Sequence, residues 1–252
     1  MGKIQAMTGN TADYTGAALC RPDLIAAYPI TPQSSVVEGL AGLVYNGRLD
    51  ASFVQVESER SAMSVVQGVA ERGAKMLYVC YDNEGYMNTG YQRSSTTSLG
   101  SSTSTTPAGA AINGKEQQQK YLPLIMAMHN IEYCATASPS NMADLVAKIQ
   151  KGLDASKRGF AYLHVFSPCP TGWKFAPNMS IEVAKKAVAS NMFPLCERSG
   201  GKFTLSRSPS PITVEEFIQG IGKFRKLTPE KVNAIQEMVD ARYALLTKLA
   251  AE

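Results

Sequence analysis

Short apolar runs rich in β-branched or aromatic residues, alternating with longer segments of helical period, constrain this chain more than any other feature. The runs are Leu24 to Tyr28, Phe53 to Val56, Met76 to Tyr81, Tyr133 to Ala137 and Phe160 to Phe166. Such alternation is the pattern of parallel strands joined by crossover helices. The expected fold is therefore α/β, a parallel sheet with helices on both faces. Thr31 followed by Pro32 is a helix start, after which Val36, Val37, Leu40, Leu43 and Val44 recur on one face. A second helix is expected over about Arg60 to Arg72, ended by Gly73. A third begins near Ser140 or Asn141, with Leu145, Val146, Ile149 and Leu153 on one face. With 252 residues and 44% of them hydrophobic, the chain can bury a core of ordinary size.

Beyond Trp173 the strand pattern fades and helices are expected to dominate. Thr213-Val214-Glu215-Glu216 has capping-box spacing. Thr228-Pro229 opens a last helix whose stripe is Val232, Ile235, Met238, Val239, Leu245, Leu246 and Leu249. This region reads as a C-terminal helical appendage, either an arm that packs on another subunit or a helix closing its own domain. Between Ser94 and Thr106 every residue but Leu99 and Gly100 is Ser or Thr. Such composition is by default a flexible linker. A loop this long that starts at a strand end is also where open α/β sheets bind ligands.

Charge excludes some function classes. The formal net charge is +4, and the only dense basic run is Lys223-Phe224-Arg225-Lys226, so neither a nucleic-acid nor a membrane partner is expected. No apolar run reaches the roughly 20 residues of a membrane span, and Met1-Gly2-Lys3-Ile4-Gln5 lacks a signal-peptide core; the expected location is cytoplasmic. The five cysteines, Cys20, Cys80, Cys134, Cys169 and Cys196, stand at wide spacings with no C-x-x-C pair. That pattern suits reduced thiols, not a self-contained zinc or iron–sulfur site.

Three clusters follow predicted strands: Tyr28-Pro29-Ile30-Thr31-Pro32, then Glu57-Ser58-Glu59, then Asp82-Asn83-Glu84-Gly85-Tyr86-Met87-Asn88-Thr89-Gly90. In the third, Asp82, Asn83 and Glu84 offer hard oxygen ligands, Gly85 lets a carbonyl turn toward a cation, and Asn88-Thr89-Gly90 makes a tight turn. Such a loop can hold a magnesium–diphosphate unit. Plain turns with this composition are common, and Thr31 as a helix cap or Glu59 as a first-turn acid has an equally simple structural explanation.

The segment from Tyr78 to Ser94 resembles the cofactor loop of the β subunit of pyruvate- and related 2-oxoacid:ferredoxin oxidoreductases. The likeness continues through Thr136-Ala137-Ser138-Pro139, Ser167-Pro168-Cys169-Pro170-Thr171-Gly172-Trp173 and Phe224 to Glu230. Residues 4 to 70 resemble instead the start of the α subunit, through Ala27 to Pro32 and Glu57-Ser58-Glu59-Arg60-Ser61-Ala62. The resemblance implies a hybrid thiamine diphosphate-binding fold joined near Glu71. Residues 1–72 would be a partial pyrimidine-binding segment, 73–178 a diphosphate-binding segment in one continuous sheet with the first, and 179–252 the appendage.

Carried over by motif, the resemblance implies that Glu59 hydrogen-bonds the aminopyrimidine ring, a proton-transfer role, and that Thr31 lines the substrate carboxylate. It makes Asn83 and the Gly85 carbonyl magnesium ligands, places Asn88 near the reacting carbon, and adds Asp82 and Thr89 to the cofactor contacts. It also implies a 2-oxoacid substrate such as pyruvate or an aryl glyoxylate, coenzyme A, ferredoxin and further oxidoreductase subunits. Two departures stand out: the family's Gly-Asp-Gly metal motif and its early cluster cysteines do not occur. Cys169 would be an orphan iron–sulfur ligand, with a buried free thiol the simpler reading, so a cluster is not expected in this chain. A homodimer could set Glu59 of one chain against Asn83 and Asn88 of another. The alternative is a catalytically inactive remnant or subunit-assembly module. A generic nucleotide-binding protein ranks last, since neither G-x-G-x-x-G after the first strand nor a P-loop occurs.

Overall fold

The computed structural model describes residues 8–28, 34–56, 65, 75–109, 113–129, 131–206 and 210–251. The chain divides into two compact units, Met1–Met76 and Leu77–Glu252. In the first, α1 (Gly9–Leu19) is followed by β1 (Leu24–Ala27), α2 (Ser34–Tyr45) and β2 (Ser52–Gln55). Thr8 caps α1, its hydroxyl accepting from the Thr11 amide at 3.2 Å. Strands β1 and β2 run parallel, Leu24 opposite Ser52, as their apolar runs suggested. The helix expected over Arg60 to Arg72 lies outside the described residues apart from Val65.

The second unit holds a five-stranded sheet. Its elements are β3 (Met76–Asp82), α3 (Leu122–Ala127), β4 (Tyr133–Ala137), α4 (Met142–Ser156), β5 (Phe160–Phe166), α5 (Pro170–Trp173), α6 (Ser180–Ala189), β6 (Cys196–Ser199), β7 (Lys202–Leu205), α7 (Val214–Ile218) and α8 (Pro229–Leu249). The strand order is β3-β5-β4-β6-β7. Strands β4 and β5 are parallel, β4 and β6 antiparallel, so the sheet is mixed. Among the described residues of the first unit, β1 and β2 form a two-stranded parallel sheet.

Alternation along β4 and β5 sends side chains to two faces. Tyr133, Ala135, Ala137, Ala161 and Leu163 meet Leu145 and Ile149 of α4 on one face. Gly152 of α4 lies so close that an added Cβ would stand 3.0 Å from Leu77. Val146, expected on that buried stripe, is exposed. On the other face Cys134 and Tyr162 meet α3, and Phe166 enters the main core with Trp173, α6, α7 and α8. Helices thus cover both faces, as expected for the α/β class.

The C-terminal helices pack within their own unit, the second of the two readings the sequence left open: Phe217, Phe224, Ile235 and Val239 share one core with Phe166 and Trp173. The two helix starts were legible, since Thr213 forms the capping box with Glu216 and Thr228 caps α8. The β6–β7 hairpin was not. Its turn, Gly200-Gly201, has φ of +57° and +82°, the double left-handed geometry that glycine pairs permit in two-residue hairpins.

Candidate functional site

Strand β3 ends at Asp82, and the chain passes through Asn83, Glu84 and Gly85 into a small hairpin closed by mutual backbone bonds of Tyr86 and Gln92 at 3.1 and 3.2 Å. Its tip exposes Asn88 and Thr89. Gly90 and Tyr91, at φ +107° and +59°, bring the chain back. A Cβ on Gly85 would stand 2.7 Å from the Tyr91 ring, so only glycine allows that approach.

Asp82 turns inward. Its carboxylate accepts from His164 Nε2 at 2.9 Å, Thr96 Oγ1 at 3.0 Å and the Glu84 amide at 2.8 Å. His164 Nδ1 meets the Tyr162 hydroxyl at 2.6 Å. Burial alone would raise the Asp82 pKa and lower that of His164; the hydrogen bond and charge pairing between them, helped by the Glu84 amide and Thr96 at Asp82 and by Cys80 at His164, outweigh burial in both. Asp82 is held below the usual carboxylate range and His164 is pushed up to about 9, so the pair is ionic at neutral pH.

Glu84 also turns inward, at φ +60° and 5% exposure. It accepts from Lys223 Nζ at 2.7 Å, from the Ser98 amide at 3.2 Å and from the Ser98 hydroxyl. Lys223 is fully buried, its ammonium 3.1 Å from the centre of the Trp173 ring. Burial pulls its pKa down, opposed by Glu84. Trp173 in turn donates from Nε1 to the Asn83 carbonyl at 3.0 Å. The Asn83 side chain accepts from the Gly85 amide at 3.2 Å, an Asx turn that leaves lone-pair capacity on its oxygen.

The Ser/Thr segment is no linker. Thr97, Ser98 and Ser101 are fully buried, and the Thr97 and Ser98 hydroxyls take the place of regular backbone pairing. Thr97 Oγ1 donates to the Glu84 carbonyl at 2.7 Å, and Ser104 donates to the Tyr91 carbonyl. Buried Lys115 gathers the carbonyls of Thr97, Ser95 and Gln118 at 2.5 to 3.3 Å. The segment packs along the inner side of the 82–91 loop through these hydrogen bonds.

Among the residues singled out by sequence, the structure brings Asp82, Asn83, Gly85, Asn88 and Thr89 into one loop. Thr31, Glu57 and Glu59 lie outside the described residues. Cys169 is a free, half-buried thiol whose sulfur accepts from the Gly172 amide at 3.4 Å as the cap of α5. Among the described residues, no three His, Cys, Asp or Glu converge to hold a metal. Since Asp82 and Glu84 both face inward, the donors of this loop are neutral. It suits a hard cation only where phosphate oxygens bring the negative charge. Sequence reasoning missed His164, Lys223 and the structural part of Glu84; a lysine set between Gly222 and Phe224 was the available signal.

Two family profiles match the chain. One, pyruvate flavodoxin/ferredoxin oxidoreductase, thiamine diphosphate-binding, covers residues 15–78. The other, the thiamine pyrophosphate enzyme C-terminal TPP-binding domain, covers 61–165. Pyruvate synthase subunit PorB of Methanothermobacter thermautotrophicus is 41% identical over 200 residues, covering 77% of this chain and 69% of PorB. The chain belongs to the 2-oxoacid:ferredoxin oxidoreductase family. Another relative, the β subunit of NADH-dependent phenylglyoxylate dehydrogenase from Aromatoleum evansii, is 51% identical over 177 residues, 69% of this chain but 40% of that subunit. PorB of Methanothermobacter marburgensis is 42% identical over 177 residues, and the matched part is 61% of its length. The chain thus spans only part of these oxidoreductase subunits. No helix among the described residues is long and apolar enough to cross a membrane.

Proposed function

We propose that this chain is the diphosphate-holding part of a thiamine diphosphate-dependent 2-oxoacid:ferredoxin oxidoreductase. Such an assembly oxidatively decarboxylates pyruvate or a related 2-oxoacid, with coenzyme A as acyl acceptor and ferredoxin as electron acceptor. The observation that carries this reading is the 82–91 loop. Three contacts fix its inner side, the buried pairs Asp82–His164 and Glu84–Lys223 and the partly buried bond from Trp173 to Asn83. Its outer side keeps neutral oxygen donors suited to a magnesium–diphosphate unit.

In this reading Asn83 and the Gly85 carbonyl hold the magnesium ion, while Asn88 and Thr89 flank the cofactor. Asp82 orients the loop through His164 instead of touching the cofactor. The bound group supplies the carbanion stabilisation that decarboxylation needs. The N-terminal segment, with Glu59 and Thr31, derives from the pyrimidine-binding subunit; the overlap of the two profile matches at residues 61–78 supports a join there. A second copy of the chain could contribute Glu59 to a site built on Asn83 and Asn88. Cys169, engaged as a helix cap, is not assigned a cluster.

A second reading, an inactive remnant or a module for assembly with the other subunits, is favoured by the missing carboxylate, since a neutral donor set binds magnesium weakly. Calorimetry of the full chain with thiamine diphosphate and magnesium separates the two. Heat that disappears in Asn83→Ala supports the cofactor site. No heat at millimolar cofactor refutes it and leaves assembly as the function.

A further inference from the structure

Glu84 sits between the two proposed ligand positions in a left-handed backbone conformation, φ +60°. For a residue with a Cβ that conformation costs about 1–2 kcal/mol. What offsets it comes from 139 residues further along the chain. Lys223 reaches the Glu84 carboxylate at 2.7 Å and the Ser98 hydroxyl at 3.5 Å, and its ammonium lies 3.1 Å from the Trp173 ring centre and 4.8 Å from that of Phe224. The segment carrying Lys223 is itself closely seated. The Gly222 amide donates to the Lys174 carbonyl at 3.2 Å, and the Lys223 carbonyl accepts from the Ser102 amide at 2.8 Å. A Cβ on Gly222 would stand 2.5 Å from that of Lys174.

A buried Lys–Glu pair is a poor source of net stability, because desolvation of two charges offsets most of their attraction. It does penalise every conformation in which the partners separate. We propose that Lys223 is a positioning residue for the cofactor loop. By pinning Glu84 inward and holding the Trp173 ring against the Asn83 carbonyl, it fixes the backbone on both sides of Glu84. It thereby sets where the Asn83 side chain and the Gly85 carbonyl stand. The functional part of this inference rests on the loop being the diphosphate site; the conformational part does not.

The test uses the full chain, with hydrogen exchange of amides 83–90 read without cofactor and thiamine diphosphate–magnesium affinity read by calorimetry. Lys223→Met should speed exchange in the loop about tenfold and weaken the cofactor about tenfold, the equivalent of losing the offset to the strain. The emission of Trp173, the only tryptophan, should shift as the cation leaves its ring. Adding Glu84→Gly to Lys223→Met should return both readouts to within about threefold of the parent, because glycine takes the left-handed conformation unaided. Rescue by Glu84→Gly but not by Glu84→Gln in the same Lys223→Met background separates release of the backbone strain from mere removal of an orphaned buried carboxylate. If Lys223→Met alone does not fold, Glu84→Gln replaces it with the same expected direction. Unchanged loop exchange, or no rescue by glycine, overturns the proposal. If the parent chain binds no cofactor, the exchange result still decides the positioning role, and only the functional reading is lost.

Discussion

The His164–Asp82 pair makes the stability of this fold depend on pH in a direction fixed by the geometry. Burial pulls the His164 pKa down, yet hydrogen bonding and charge interaction with Asp82 and Cys80 carry it from 6.5 up to about 9. A group whose pKa is raised on folding contributes fully below its unfolded value, and the contribution is lost as pH rises through the folded one. At about 1.36 kcal/mol per pH unit, the rise amounts to roughly 3 kcal/mol, present below pH 6.5 and gone above pH 9. The depressed pKa of Asp82 puts its own loss on the acid side, as pH falls through that value. For a unit of this size roughly 3 kcal/mol corresponds to about 6–12 °C in Tm. Calorimetric melting of the parent and of His164→Gln from pH 6 to pH 10 reads the effect as a difference, which cancels groups common to both. The parent should lose its advantage across pH 6.5 to 9, while Tyr162, Thr96 and the stacked Phe193 ring keep the site packed in both. A difference that stays constant over that range would mean that the native imidazole is neutral, and the ion pair would be refuted.

Two further outcomes follow from buried groups at the centre of the sheet. Thr136 is fully buried and its hydroxyl joins β4 to the start of β6, donating to the Pro194 carbonyl at 2.7 Å and accepting from the Cys196 amide at 2.8 Å. Thr136→Val should cost about 1–3 kcal/mol in urea unfolding by orphaning both groups; a neutral effect would contradict the bridge. Burial pushes the Cys134 thiol up to about 12 and raises that of Cys196 as well. Neither should react with a disulfide reagent at pH 8 until the chain is denatured, and rapid native labelling of both would contradict their burial.

The sequence carried the parallel part of the fold because buried strands of this class are continuous apolar runs. β4 and β5 stand where those runs fall, and all of β4 is buried. The β6–β7 hairpin escaped because its strands carry Glu197, Arg198 and Lys202, which hide the apolar pattern; only Gly200-Gly201 betrays it. The position of the loop was legible from its Asp, Asn and Gly residues, whereas the division of labour among them was not. Asp82 and Glu84 look like ligands by residue type, but their partners His164 and Lys223 are distant in sequence and met only in the fold. The Ser/Thr segment misled for a related reason. Its hydroxyls read as solvent-loving in a linear chain, yet inside the unit they satisfy the backbone of the loop they enclose.

The most direct measurement is the phosphorus resonance spectrum of thiamine diphosphate with the full chain and magnesium. A diphosphate seated on the 82–91 loop should show both resonances shifted and broadened only when magnesium is present, with the effect removed by Asn83→Ala. Resonances identical to those of the free cofactor, or a shift indifferent to Asn83, would contradict the assignment of this loop.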